Sequence, residues 1–150
     1  MKAQREIFSE AFPEWIWLVR NAWQELCEYQ AEFPMDLDLE AYLRLQEMGK
    51  LYLATIRQDG ILVGYFLALL GGTLHYRNCL TAQMDMIYID PRFRSGAAAL
   101  RLLRFVLSDL RALGIQRVNA GTKTKKDIGR LFRTFGFQPV EITYSRLLEA

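Results

Sequence analysis

A chain of 150 residues, 51% of them apolar, holds enough hydrophobic material for one substantial core and is expected to form one domain over residues 1–150. Its 19 Lys and Arg nearly balance 17 Asp and Glu, and the formal charge of +2 excludes the strongly basic field of a dedicated nucleic-acid binder. The longest apolar run, Ile61 to Leu70, is broken by Gly64 and is about half the roughly 20 residues of a bilayer-spanning helix, which argues against a membrane protein.

Before the first strand signals, Trp15, Leu18, Val19, Ala22, Trp23 and Leu26 recur at spacings of three and four, predicting an amphipathic helix from Glu14 to Tyr29 with Pro13 in its first turn. Trp17 falls outside that stripe, and packs either on the chain's own sheet or on a second copy in a homodimer. Cys27 and Cys79 lack metal-ligand spacing, and no secretory leader precedes them, so reduced thiols and a cytoplasmic location are expected. The acidic run from Glu32 to Glu40 either attracts a cationic amine or caps a second helix over Asp38 to Met48, and capping is the simpler reading. Leu39, Tyr42, Leu43 and Gln46 share a face of that helix, and Gly49 ends it.

Periodicity then changes from helical to extended. Leu51 to Ile56 and Ile61 to Ala68 flank Asp59-Gly60, a preferred tight-hairpin dipeptide. His75 follows Gly71-Gly72 and reads as structural. A third strand, Gln83 to Ile89, reaches Asp90-Pro91, after which Arg94-Ser95-Gly96-Ala97-Ala98-Ala99 opens a helix running from Ala97 to Leu113. Small residues at a helix start leave unpaired amides beside the positive end of the helix dipole, the layout of a phosphate cradle. Leu100, Leu103, Val106 or Leu107, Leu110 and Leu113 are expected to point inward from that helix. A strand over Gln116 to Ala120 comes next. Asp127 then caps a short helix striped by Ile128, Leu131, Phe132 and Phe135, and a last strand is expected over Pro139 to Leu148. The fold class is therefore α/β in the broad sense and α+β in detail, a central mixed β-sheet covered by helices on both faces.

Two motifs carry a resemblance. Arg94-Ser95-Gly96-Ala97-Ala98-Ala99 after a strand and an x-Pro turn, with Phe132 to Phe135 followed by Gly136-Phe137, is similar to the paired signatures of the GNAT superfamily of N-acetyltransferases. The likeness covers about Leu51 to Leu148, and the Lys123, Lys125, Lys126 cluster with the Glu141 to Arg146 ending looks most like small bacteriophage enzymes. It implies a GNAT-like sheet, acetyl-CoA (acetyl-coenzyme A) as cofactor, and a small-molecule or protein amine as partner and acetyl acceptor. The pyrophosphate would lie on the amides of Arg94 to Ala99, and the pantetheine arm along Ile87, Tyr88 and Ile89. Lys125 stands where the family commonly has a cofactor-contacting Asn, and Phe132 packs against the cofactor. The chain departs from the pattern at Ala97, usually Gly, and at Phe132, usually a Tyr whose hydroxyl protonates the departing thiolate.

Acetyl transfer requires an unprotonated amine, and Asp85, read on the strand face of Ile87 and Ile89, is the candidate base. Tyr144 and Tyr88 are the candidate replacements for the missing Tyr hydroxyl, and no metal is called for. The direct N-acetyltransferase is the leading reading. A catalytically idle GNAT-fold protein that engages a macromolecule is the alternative that Ala97 and Phe132 keep open.

Overall fold

Three long strands, β2 (Leu51–Gln58), β3 (Ile61–Thr73) and β4 (Tyr76–Ile89), bury side chains on both faces, so each face needs a cover. In the computed structural model, which describes residues 1–149, helices provide it on both. α1 (Phe8–Leu26) and α2 (Leu39–Glu47) lie on one side, α3 (Ala98–Ala112) and α4 (Gly129–Thr134) on the other. With β1 (Lys2–Arg5) and β5 (Arg117–Asn119) the sheet has the order β1-β2-β3-β4-β5, antiparallel except for the parallel β4–β5 pair. This is the expected mixed sheet between two helical layers.

Each layer has its own apolar cluster. Leu102, Leu103, Val106 and Leu110 of α3 and Phe132 of α4 pack on Tyr52, Phe66, Ile87 and Ile89. Across the sheet, Phe8, Trp15, Leu18 and Ala22 of α1 pack on Leu53, Tyr65, Leu67 and Tyr88. The phase of the α3 stripe differs from the expected one: Leu102 is fully buried, whereas Leu100 and Leu113 are exposed. Apolar residues occupy so many positions of α3 that periodicity alone leaves its rotation open, and contact with the sheet decides it.

Several boundaries also move. α1 starts at Phe8 rather than Glu14, which places Pro13 inside the helix and not in its first turn. Ile7 offers no side-chain cap; instead Gln46 of α2 accepts from the Ser9 amide at 2.8 Å and donates to Ser9 Oγ at 3.1 Å. Gln30 closes the other end, its Nε2 donating to the carbonyls of Trp23, Gln24 and Cys27. Asp38 caps α2 as expected, accepting from the Ala41 amide at 2.9 Å. The cap position of α4 is Ile128, yet Asp127 still accepts from the Gly129 amide at 2.8 Å. Asp59 and Gly60, both at positive φ, turn β2 into β3 as the dipeptide predicts. β4 begins at Tyr76, earlier than Gln83, and His75 sits exposed in the turn before it.

β1 carries no apolar alternation and had no signal in the sequence. Its place is fixed by pairing with β2 and by Glu6 just beyond it, which accepts from Arg57 at 2.7 Å. The expected strand over Pro139 to Leu148 does not form, and Val140, Ile142 and Tyr144 are exposed. Alternation supplies only half of a strand; the other half is a partner edge, and β5 offers just three residues. Trp17 is exposed and carries the Arg20 guanidinium at 5.4 Å from its ring. Cys27 and Cys79 are free thiols, and among the described residues no helix is long and apolar enough to cross a membrane.

Gly64 lets β3 and β4 meet closely, because a Cβ there would stand 2.8 Å from the Tyr88 carbonyl oxygen and closer still to Ile89 Cδ1. Gly64→Ala is expected to destabilise the protein by about 1–3 kcal/mol, measured by denaturant unfolding. Glu6 supplies a pH test. The Arg57 hydrogen bond holds its carboxyl at about 2, below the ordinary 4.5. A depressed carboxylate contributes stability above its unfolded value and loses it as pH falls through the folded one. Stability is therefore expected to drop between about pH 4.5 and 2, and Arg57→Met to flatten that drop in acid titrations of thermal unfolding.

Candidate active site

The parallel ladder between β4 and β5 has three rungs, Thr81 with Arg117, Ala82 with Val118 and Gln83 with Asn119, and then the strands part. From Met84 to Ile89, β4 keeps β3 on one side while, among the described residues, no strand pairs with its other edge. A cavity of about 480 Å³ opens along that edge, lined by Met84 to Ile89, by Arg94 and Ala99 below them, and by Gly121 to Lys123 across the gap. Backbone groups on the free edge face this space and are available to pair with an extended ligand.

The loop at the end of β4 is built to expose amides. Asp90, buried, accepts from the Arg92 amide at 2.9 Å and starts a short 3-10 turn, Pro91–Phe93. The chain turns again over 94–97 before α3 begins at Ala98. Among the described residues, the amides of Ser95, Gly96, Ala97, Ala98 and Ala99 donate to no protein acceptor, and they stand at the positive end of a 15-residue helix. A Cβ built on Gly96 meets nothing within 4 Å, so the approach to these amides is open. Ala97 has φ −86° and ψ 14°, ordinary for an L-residue, and its methyl therefore costs the loop no strain. The arrangement suits a phosphate, and Arg94 and Ala99 connect it to the cavity.

Asp85 owes its position to a bulge. Leu67 pairs with Met86 and Ala68 with Met84, leaving Asp85 as an extra residue with no partner on β3. The expected shared face with Ile87 and Ile89 is lost, because Met84 already lies with Ile87 against the α3 cluster. The charge of Asp85 acts instead on Tyr42, Tyr65 and Cys27, toward α1 and α2. Asp85 lines the cavity, and the protein around it pushes its carboxyl above the usual range, opposed by the Lys123 ammonium. Asp85 is itself exposed, and the upward shift strengthens its carboxylate as a base.

Arg94 is not free to reach outward. Its Nε donates to the Ile89 carbonyl at 2.8 Å, and its two terminal nitrogens donate to Glu25 at 2.6 and 2.8 Å. Glu25, in the last turn of α1, also accepts from the Tyr88 hydroxyl at 3.1 Å and from Lys126. Arg94 above all holds the Glu25 carboxyl at about 2, while burial and Glu25 push the Tyr88 phenol up to about 12. Lys123 lines the cavity and pairs with Glu28 at 3.0 Å.

Of the expected site residues, the cavity brings together Asp85, Ile87, Tyr88, Ile89, Arg94 and Ala99, with Ser95, Gly96 and Ala97 in the adjoining loop and Ala98 at the head of α3. The others stand apart. Lys125 donates to the Cys27 carbonyl at 3.2 Å, leaving Lys123 and Lys126 as the lysines of the cavity wall. Phe132 is buried in the α3 cluster, 5.3 Å from the Phe137 ring. The cavity lining includes neither Phe132 nor Tyr144, and the tail reaches it through Thr143. Glu25 escaped the sequence reading because one carboxylate in an amphipathic helix carries no signal of what it will meet.

The sequence matches the Acetyltransferase (GNAT) family over residues 4–137. No curated protein matches the chain in sequence. Solved structures match in fold at low identity. An aminoglycoside acetyltransferase from an uncultured soil metagenomic sample, in complex with sisomicin, is 13% identical with a TM-score of 0.75, covering 99% of this chain and 96% of that one. Glucosamine-6-phosphate N-acetyltransferase from Arabidopsis thaliana is 12% identical with a TM-score of 0.73, covering 99% and 98%. A predicted acetyltransferase with acetyl-CoA from Clostridium acetobutylicum is 11% identical with a TM-score of 0.72, covering 97% and 95%. With the family match spanning nearly the whole chain and the cradle and parted strands in place, the protein belongs to the GNAT family of acetyltransferases.

Proposed function

We propose that the protein is an N-acetyltransferase that passes an acetyl group from acetyl-CoA directly to a primary amine. The observation that carries this reading is the continuity of the open amide cradle at Ser95 to Ala99 with the free edge of β4. One element offers phosphate donors, and the other offers backbone partners for an extended arm. Acetyl-CoA supplies an activated acyl group; the chain's own residues place it, hold the amine and move the proton. Unpaired β4 amides are the donors at hand for a developing oxyanion. Asp85, set into the cavity by its bulge, takes the amine proton.

Tyr88 is the phenol that the cavity offers to the leaving thiolate, and burial together with Glu25 keeps it protonated at neutral pH. The thiolate also leaves without help, since a thiol's ordinary pKa is about 8.5. Names of the solved relatives point to sugar-borne amines as acceptors, and the ion pairing in this cavity fits such a cationic group. Lys123 is paired with Glu28, and Arg94 and Lys126 with Glu25, which leaves Asp85 as a cavity carboxylate outside these pairs. The second reading, a binding protein of the same fold without catalysis, draws on Phe132, a core residue without a hydroxyl.

Calorimetry with acetyl-CoA tests the site, and thiol release across a panel of amines separates the readings. Sustained absence of release at saturating cofactor would favour the binding protein. Gly96→Glu is expected to abolish cofactor binding without unfolding the protein, because its side chain enters open space beside the cradle. Asp85→Asn is expected to lower kcat by about 100-fold or more while the cofactor Kd stays within about twofold. For the wild type, kcat/KM should rise with pH through the raised Asp85 pKa, and this limb should vanish in Asp85→Asn.

A further inference from the structure

Three stretches of chain distant in sequence meet at one carboxylate in the cavity wall. Glu25 of α1 accepts a bidentate pair from Arg94, the first residue of the amide loop, a phenolic bond from Tyr88 of β4, and an ammonium bond from Lys126 beyond β5. A guanidinium fork, an ammonium and a phenol form a donor set that serves a phosphoryl group as well as a carboxylate. Local stability of α1 does not explain the choice of residue, since a carboxylate in the last turn of a helix faces the negative end of its dipole. Glu25 is held there by its cations.

We propose that Glu25 sets the selectivity of the site for phosphate-bearing ligands, occupying Arg94 and Lys126 in the free protein as an internal surrogate for phosphate and yielding them when phosphate enters the cradle. This rests on the acetyl-CoA reading. Two cations and one carboxylate leave this cluster with a single net positive charge, so a ligand gains these donors only by out-competing Glu25. A polyanion at the adjoining amides can do so; an uncharged pantetheine arm, bound along β4 alone, cannot. Glu25 thus lowers the affinity for the whole cofactor and leaves that for its uncharged fragment unchanged. Glu28, which holds Lys123, makes no bond to Arg94 or Lys126.

Calorimetric titration of wild type and Glu25→Gln with coenzyme A and with pantetheine tests this. Glu25→Gln keeps the side-chain shape and is expected to tighten coenzyme A by about tenfold, inside the roughly 5–150-fold range of common site couplings, with pantetheine changed less than about twofold. The salt dependence of the coenzyme A Kd should steepen in the variant, because two released cations then gather counterions that the ligand must displace. Equal coenzyme A affinity in the two proteins, or equal tightening of both ligands, would overturn the proposal while leaving the acetyl-CoA reading intact. Failure of folded wild type to bind coenzyme A would overturn both. Should Glu25→Gln not fold, Lys126→Met is the second test: coenzyme A is expected to weaken several-fold with pantetheine unaffected, and an unchanged Kd overturns the proposal.

Discussion

Hydrogen bonds that β4 does not make determine most of what this molecule can do. Its parallel ladder with β5 stops at Gln83 and Asn119, and among the described residues the segment from Met84 to Ile89 then has one edge without a strand, where alternate residues present their N–H and C=O to the cavity. Backbone polar groups in such a place must find water or a ligand. The gap is kept by packing, for Ile128 and Leu131 at the start of α4 line the cavity and also pack against the α3 cluster, behind which Phe132 is buried. The loop after β4 repeats the theme, since small residues at the head of α3 leave its first amides unclaimed. Cavity and cradle are one continuous deficit of backbone partners, edged by charged side chains.

The two departures from the family pattern have different weights. Ala97 adopts a backbone conformation open to any L-residue, so the loop tolerates the methyl. Phe132 turns its ring into the core beside Phe137, where its part is packing. The ionisable side chains that β4 itself gives the cavity are Asp85 at the bulge and Tyr88 three positions later. Both sit on the strand that parts from β5, which gives them a rigid mounting.

Much of this was legible in the sequence wherever a local rule had no competitor. The Asp59-Gly60 turn, the Asp38 cap and the strand, turn and helix from Met86 to Ala99 follow from the stereochemistry of a few neighbouring residues. Rotation of α3, capping of α1 by Gln46 and the place of β1 depend on partners far along the chain, which periodicity does not encode. The tail from Pro139 to Leu148 shows the same limit from the other side, since it has the alternation of a strand but no ladder. At the site, backbone features were readable because small residues announce them. Glu25 was not, because a contact among α1, β4 and two loops exists only after folding.

A residue that belongs to no ladder is also a residue the fold can exchange. Asp85 interrupts the pairing of β4 with β3, and the register holds on both sides of it, from Gly71 with Thr81 up to Ala68 with Met84 and again from Leu67 with Met86 onward. Its side chain reaches the cavity without filling a slot in either apolar cluster. Substitution there changes the charge presented to the cavity and spares the packing that holds the sheet. The bulge therefore separates two demands that an ordinary strand position joins, so the side chain shown to the cavity is set independently of the packing that holds the architecture.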